Sequence, residues 1–294
     1  MRVLAWLPLA ATLLLIWTVP AVHALPNEIL IAQKSAQDYF EQSKARFMRK
    51  DYQGAIEDGT KAIRLEPDVA ANYIIRGFPR ASLKDYQGAI EDYTKAISLE
   101  PNNATAYRFR ASARNSLKDY QGTIADCTQA IRLEPNNADA YTKRASARHD
   151  LNDYQGAIED YAKAISLEPN NASVYFYRGS ARASQKDYQG AIEDYTSSIH
   201  LDPKDLFNYF SRAHAREALK DYQGAIEDYT NAIRIYPKFD YVYFDRANAR
   251  YLLEDYQGAK SDWQKAADLF LESGNMKGYQ MAIDKQKMLR QTRH

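Results

Sequence analysis

The sequence predicts an all-α chain built as a solenoid of paired helices, and three observations predict it. The tetrad Asp-Tyr-Gln-Gly begins at Asp51, Asp85, Asp119, Asp153, Asp187, Asp221 and Asp255, always 34 residues apart. Self-similarity at one fixed period marks a repeat architecture, so the two-domain expectation for 294 residues does not apply. Within each copy, apolar residues recur mostly at steps of three and four, the spacing of one helix face. Each copy also carries its own punctuation, such as Glu100-Pro101-Asn102-Asn103, which closes one helix and opens the next.

Taken in chain order, residues 1–24 are a different kind of text. Arg2 gives a positive start, Val3 to Val19 carries no charge, and Val22-His23-Ala24 offers small residues before Leu25. This reads as a secretory signal peptide cleaved after Ala24. The competing reading is an uncleaved membrane anchor, because the apolar run over 3–22 nearly reaches spanning length; Pro8 and Pro20 count against it. Either way the chain is expected to be exported: periplasmic or secreted if cleaved, anchored with the repeats outside the cytoplasm if not. Membrane contact is expected only if 3–22 stays attached. Residues 25–35 form a lead-in.

The first helix of a copy is typified by Tyr107, Ala111, Arg114 and Leu117, followed by a short turn at Lys118. The second carries Tyr86, Ala89, Ile90, Tyr93, Ala96 and Ile97 on one face. Asp85 is placed to cap it, since a carboxylate at a helix start accepts an orphan N–H and suits the dipole. Asn103 is placed to cap the first helix of the following copy. One such hairpin cannot bury its apolar face alone, so copies must stack. An insertion would break the register or bulge outward, and none is present.

The 34-residue period, Tyr107 with Ala111, and Ala89, Tyr93, Ala96 and Pro101, with their equivalents, resemble the tetratricopeptide repeat. The resemblance covers seven repeats over 36–273 (36–69, 70–103, 104–137, 138–171, 172–205, 206–239 and 240–273). A capping helix and tail follow over 274–294. It implies a right-handed superhelical solenoid whose concave groove is lined by the first helix of each pair, and an activity of protein or peptide binding. The family's carboxylate clamp needs Lys and Asn one turn apart, Asn in the next repeat, then Lys and Arg. The first three repeats hold Phe40 and Lys44, Ile75, then Thr105 and Phe109, so no clamp for chaperone C-termini is expected.

Most invariant residues read as framework. The Gly of each tetrad points to close helix packing. Arg46, Arg80, Arg114, Arg148, Arg182, Arg216 and Arg250 should pair with Asp58, Asp92, Asp126, Asp160, Asp194, Asp228 and Asp262 across each hairpin. Cys127 stands where sister copies have Tyr93, Tyr161, Tyr195 and Tyr229, so it reads as a small buried apolar residue. Pro79 replaces alanine at its station and should kink its helix. The sequons Asn103-Ala104-Thr105 and Asn171-Ala172-Ser173 arise from turn text.

Function should lie where the copies differ. Early groove stations are mixed, with Phe78, Arg108, Phe109, Thr142 and Lys143. Later ones are aromatic: Phe176, Tyr177, Phe207, Phe210, Tyr241, Phe244 and Tyr251, with polar points at Ser180, Ser211, His214, Asp245 and Asn248. Phe176, Phe210 and Phe244 are 34 apart and are expected to form a ladder for a peptide. The five histidines show no metal spacing, no nucleophile–base arrangement is visible, and no cofactor motif occurs. With 39 basic and 38 acidic residues, no nucleic-acid surface is expected. The expected function is a non-catalytic interaction scaffold outside the cytoplasm, binding a protein or peptide in the groove. The alternative is a self-associating structural element of an envelope complex.

Overall fold

The computed structural model describes residues 34–291, so the expected leader lies outside the described residues. Among the described residues there are fifteen α-helices and no strand. They pair as α1 (Ala36–Met48) with α2 (Tyr52–Leu65), α3 (Ala70–Ser82) with α4 (Tyr86–Leu99), and α5 (Ala104–Ser116) with α6 (Tyr120–Leu133). Next come α7 (Ala138–Asp150) with α8 (Tyr154–Leu167), and α9 (Ala172–Ser184) with α10 (Tyr188–Leu201). Then α11 (Leu206–Ala218) pairs with α12 (Tyr222–Ile235), α13 (Asp240–Leu252) pairs with α14 (Tyr256–Glu272), and α15 (Met276–Gln291) closes the stack. No described helix is long and apolar enough to cross a membrane.

Each helix packs on its neighbours in sequence. First helices of adjacent repeats also touch each other (α1 with α3, α5 with α7, α7 with α9, α9 with α11), whereas second helices do not to a comparable degree. The stack therefore curves with the first helices on the inner face. Alanines make this spacing reachable: Ala89, Ala111, Ala145 and Ala213 are wholly buried.

The turns within and between hairpins are built from short-range chemistry. Asp85 caps α4 by accepting the Gly88 N–H at 3.0 Å, and the same bond recurs at every tetrad. The residue before each such Asp is left-handed, with φ near +62°, although it is usually lysine; only Asn152 is a residue that favours this region. Asn103 and Asn137 cap α5 and α7, while Asn171, Val69 and Phe239 make no side-chain cap bond.

The tetrad Gly has a cause more specific than helix closeness. A Cβ on Gly122 would lie 2.1 Å from the capping carboxylate of Asp119 and 2.8 Å from the Arg114 side chain. At Gly54, Gly122, Gly190, Gly224 and Gly258 two side chains, one of them from the first helix, converge on the position, so a Cβ there would displace one of them.

The Arg–Asp ion pair is present in every repeat: Arg148 Nη1 lies 2.9 Å from Asp160, and five sisters pair through the same atom at 2.8–3.0 Å, while in the first repeat Arg46 approaches Asp58 through Nε at 3.1 Å. A second arginine, one turn earlier, was not foreseen. Arg144 grips Asp160 with two bonds of 2.8 and 2.7 Å, lies over the Tyr141 ring, and reaches Thr128 of the preceding repeat at 3.1 Å. Cys127 is buried as expected, and burial pushes its thiol up to about 12. Helix α3 runs unbroken through Pro79, at the same length as its sisters, with the proline ring buried.

At the far end, α15 covers what an eighth repeat would cover. A Cβ on Gly278 would meet the Phe270 ring at 2.5 Å, and Ala282 and Leu289 bury against the same core.

Candidate peptide-binding face

The inner face carries two pits at equivalent stations, three periods apart. The first lies between α3 and α5. Ala81, Tyr86, Tyr93 and Ala113 shape it, Phe47, Phe78 and Phe109 fill its walls, and its volume is about 230 Å³. Phe78 stands edge-on to Phe109 at 4.5 Å and lies 6.0 Å from Phe47. The second lies between α9 and α11. There Ala183, Tyr188, Tyr195 and Ala215 hold the same places, with Phe210, Ser211 and His214 around a volume of about 360 Å³. The second pit is roomier because Ser211 stands at the station where the first has Phe109.

Between the pits the face is polar. Arg108 reaches Asp139 of the next repeat at 3.4 Å, and Lys143 pairs with the same carboxylate. Arg108 Nε, Asn115 Oδ1 and His149 Nε2 are shielded from solvent and have no protein partner. Buried polar atoms are nearly always hydrogen-bonded, so these three are exceptions.

Beyond the second pit sits an acidic pair. His214 lies 3.3 Å from Asp245 and 4.0 Å from Glu217, and Tyr229 donates its hydroxyl to Glu217 at 2.9 Å. Burial raises the Glu217 carboxyl above its ordinary range. Burial would lower the His214 imidazole, but the bond and charge of Asp245, with Glu217 behind it, outweigh that and raise it.

The expected aromatic residues take different places. Phe210 and His214 wall the second pit. Tyr177 is exposed, stacked 6.2 Å from Tyr161, and Phe176 is half-buried against Tyr195. Phe207 is exposed beside Phe239, and Tyr241 is exposed with its ring edge on Phe270. Tyr251 is half-buried between Tyr256 and Trp263. The expected ladder does not form: no ring contact joins Phe176, Phe210 and Phe244. Phe244 itself is 6% exposed, taken into the C-terminal core against Phe270 because α14 runs on past the usual proline turn.

The residues that sequence reasoning passed over are Phe47 and Glu217, together with the grouping of Phe78 with Phe109. A signal for them was present. Phe47, Phe78 and Phe109 are 31 residues apart, as are Arg108 and Asp139, and His214 and Asp245. Adjacent first helices meet on a diagonal, one helical turn out of step with the 34-residue period.

Residues 80–138, 127–159 and 208–239 match models described as tetratricopeptide repeat, and 145–186 one described as TPR repeat. The repeats are similar to tetratricopeptide repeats. No enzyme family is among the models matched, and no curated protein matches the chain. Among solved structures, the fold is shared with the C-terminal part of a tetratricopeptide repeat protein from Cytophaga hutchinsonii (19% identity, TM-score 0.69, 78% of this chain and 95% of that one). It is shared with YrrB, described as a TPR protein with an unusual peptide-binding site (21% identity, TM-score 0.56, 63% and 95%). It is shared also with MamA from Desulfovibrio magneticus RS-1 (22% identity, TM-score 0.56, 59% and 98%).

Proposed function

We propose that this protein is a non-catalytic adaptor that holds an extended segment of a partner protein along its first-helix face, outside the cytoplasm. The observation that carries the reading is the order of chemistry on that face: an apolar pit, a polar stretch of Arg108, Asp139 and Lys143, and a second apolar pit. An extended peptide presents that order in complement, with side chains to anchor and backbone N–H and C=O groups that need partners. The peptide-binding site named for YrrB agrees in kind. Support for the location is the text of residues 1–24 alone.

The test is capture of partners from the host's envelope and secreted fractions by the wild type, by Phe78→Ala/Phe109→Ala and by Phe210→Ala, with circular dichroism confirming that each variant folds. Capture should fall for both folded variants. Equal capture by all three would refute the groove. Mass analysis of the exported protein should give Leu25 as its first residue; a chain retained in the cytoplasm would refute the location.

A further inference from the structure

We propose that the C-terminal half of the groove selects a partner segment in which an apolar side chain neighbours a lysine or arginine. The apolar residue enters the pit of Tyr188, Tyr195 and Phe210, and the cation rests against Asp245 and Glu217. This deepens the adaptor reading above and rests on it.

Charge complementarity carries the choice. Six arginines lie on α9, α11 and α13, and every one is engaged with a framework aspartate: Arg178 and Arg182 with Asp194, Arg212 and Arg216 with Asp228, Arg246 and Arg250 with Asp262. None is left to offset the groove. Beside the second pit, the ionisable groups facing inward are His214, Glu217 and Asp245, with Tyr229 behind them. Their side chains are neither free in solvent nor sealed: Glu217 is 23% exposed and Asp245 20%. A carboxylate stripped of much of its water gains most from an incoming cation, because solvent no longer screens the pair. The Phe210 ring lies edge-on to the His214 imidazole at 4.5 Å, so an apolar ring walls the approach to the carboxylates. His214 is the wall shared by the pit and the carboxylates, which sets the apolar and basic residues of the ligand close together in sequence.

Around the first pit the charge is different. Asp139 is already shared by Arg108 and Lys143, so no carboxylate is left over there to take a ligand cation. The face therefore has a direction, and the ligand's basic end belongs at repeats 6 and 7.

A protonated His214 answers the same two carboxylates that the ligand's cation seeks. The groups facing it are Glu217 on its own helix, Tyr229 on α12, Asp245 on α13, and Tyr188 and Tyr195 across the pit. Affinity for a basic segment should accordingly fall as the imidazole gains its proton.

The probe is a random 12-residue peptide library displayed on phage and selected on the full chain. Peptides enriched by the wild type should carry Lys or Arg within three positions of an aliphatic or aromatic residue. In the best of them, synthesised and labelled, Arg→Gln or Lys→Gln should weaken binding about tenfold. The same change should make no difference on Glu217→Gln/Asp245→Asn, and on Asp245→Asn alone, should the double variant not fold, it should cost less than on the wild type. Wild-type affinity should drop between pH 8 and pH 5, and His214→Gln should flatten that drop. Enriched peptides that need Phe210 but tolerate loss of the basic residue would overturn this proposal and leave the adaptor reading intact. Enrichment of acidic peptides would do the same. Failure to enrich any peptide sensitive to Phe210→Ala or Phe78→Ala would overturn both.

Discussion

A carboxylate removed from water needs partners on both oxygens, and Asp160 shows how repeats two to seven supply them. Arg144 takes it as a fork and Arg148 adds a third bond, while the aspartate side chain stays 5% exposed. Breaking a buried pair strands a charge, which costs roughly 3–5 kcal/mol. Asp160→Ala should lose about that much in urea titration at pH 7. Arg144→Lys should lose less, since the charge remains but the planar two-pronged grip does not. Half of this arrangement was readable beforehand. The Arg148 series was seen from its period, yet the Arg144 series has the same period and was not. In a strict repeat every residue is periodic, so periodicity alone cannot separate a buried ligand of Asp160 from a solvated surface charge. His214 and Glu217 give a second expectation at this scale. His214 is raised in the folded state, so its contribution is full below its unfolded value near 6.5 and fades as pH rises through the higher folded value. Glu217 is also raised, chiefly by burial, so ionising it on the way up weakens the fold too. Stability should therefore decline from pH 5 to pH 8, and His214→Gln should shallow the upper part of that decline.

Helix α3 places two opposed effects on one residue. Pro79 cannot donate to the carbonyl one turn back, a loss of up to ~3 kcal/mol in a helix interior. Its ring, however, is buried, and giving up two methylenes forfeits about 0.8 kcal/mol each. Pro79→Ala should still stabilise the fold, by a net of about 1 kcal/mol, and so raise the melting point; an unchanged or lower midpoint would mean that the ring's packing dominates. The paired helices, their caps and the closing helix were all legible, because each depends on residues close in sequence, such as Asp85 with Gly88. The candidate face was legible only in part. Which ring meets which depends on how neighbouring first helices cross, and side chains lean toward the N-terminus of their helix. That turned the expected 34-residue ladder of Phe176, Phe210 and Phe244 into the 31-residue diagonal of Phe47, Phe78 and Phe109. The fate of Phe244 depended on a third element, α14, whose extra turn brings Phe270 over it.

The whole molecule is a one-dimensional stack, so its ends matter more than its middle. Removing residues 275–294 would uncover Leu269 and Phe270, now 5% and 1% exposed. At roughly 1.5–3 kcal/mol for each large apolar side chain, the truncated chain should melt lower and associate at high concentration, as judged by calorimetry and sedimentation. Another consequence lies in the guanidinium that each first helix from α3 onward extends backward. Arg76, Arg110, Arg144, Arg212 and Arg246 are hooked to Thr60, Thr94, Thr128, Thr196 and Thr230 of the preceding unit. Arg178 has no such anchor, because Ala162 stands where the threonine would be. The stack is thus a chain of rivets with one omitted between its fourth and fifth links. The missing bond is worth only ~1 kcal/mol, enough to bias a choice among near-identical seams. Stretched between optical traps, the molecule should tear at that seam first, parting into a front half with one pit and a rear half with the other.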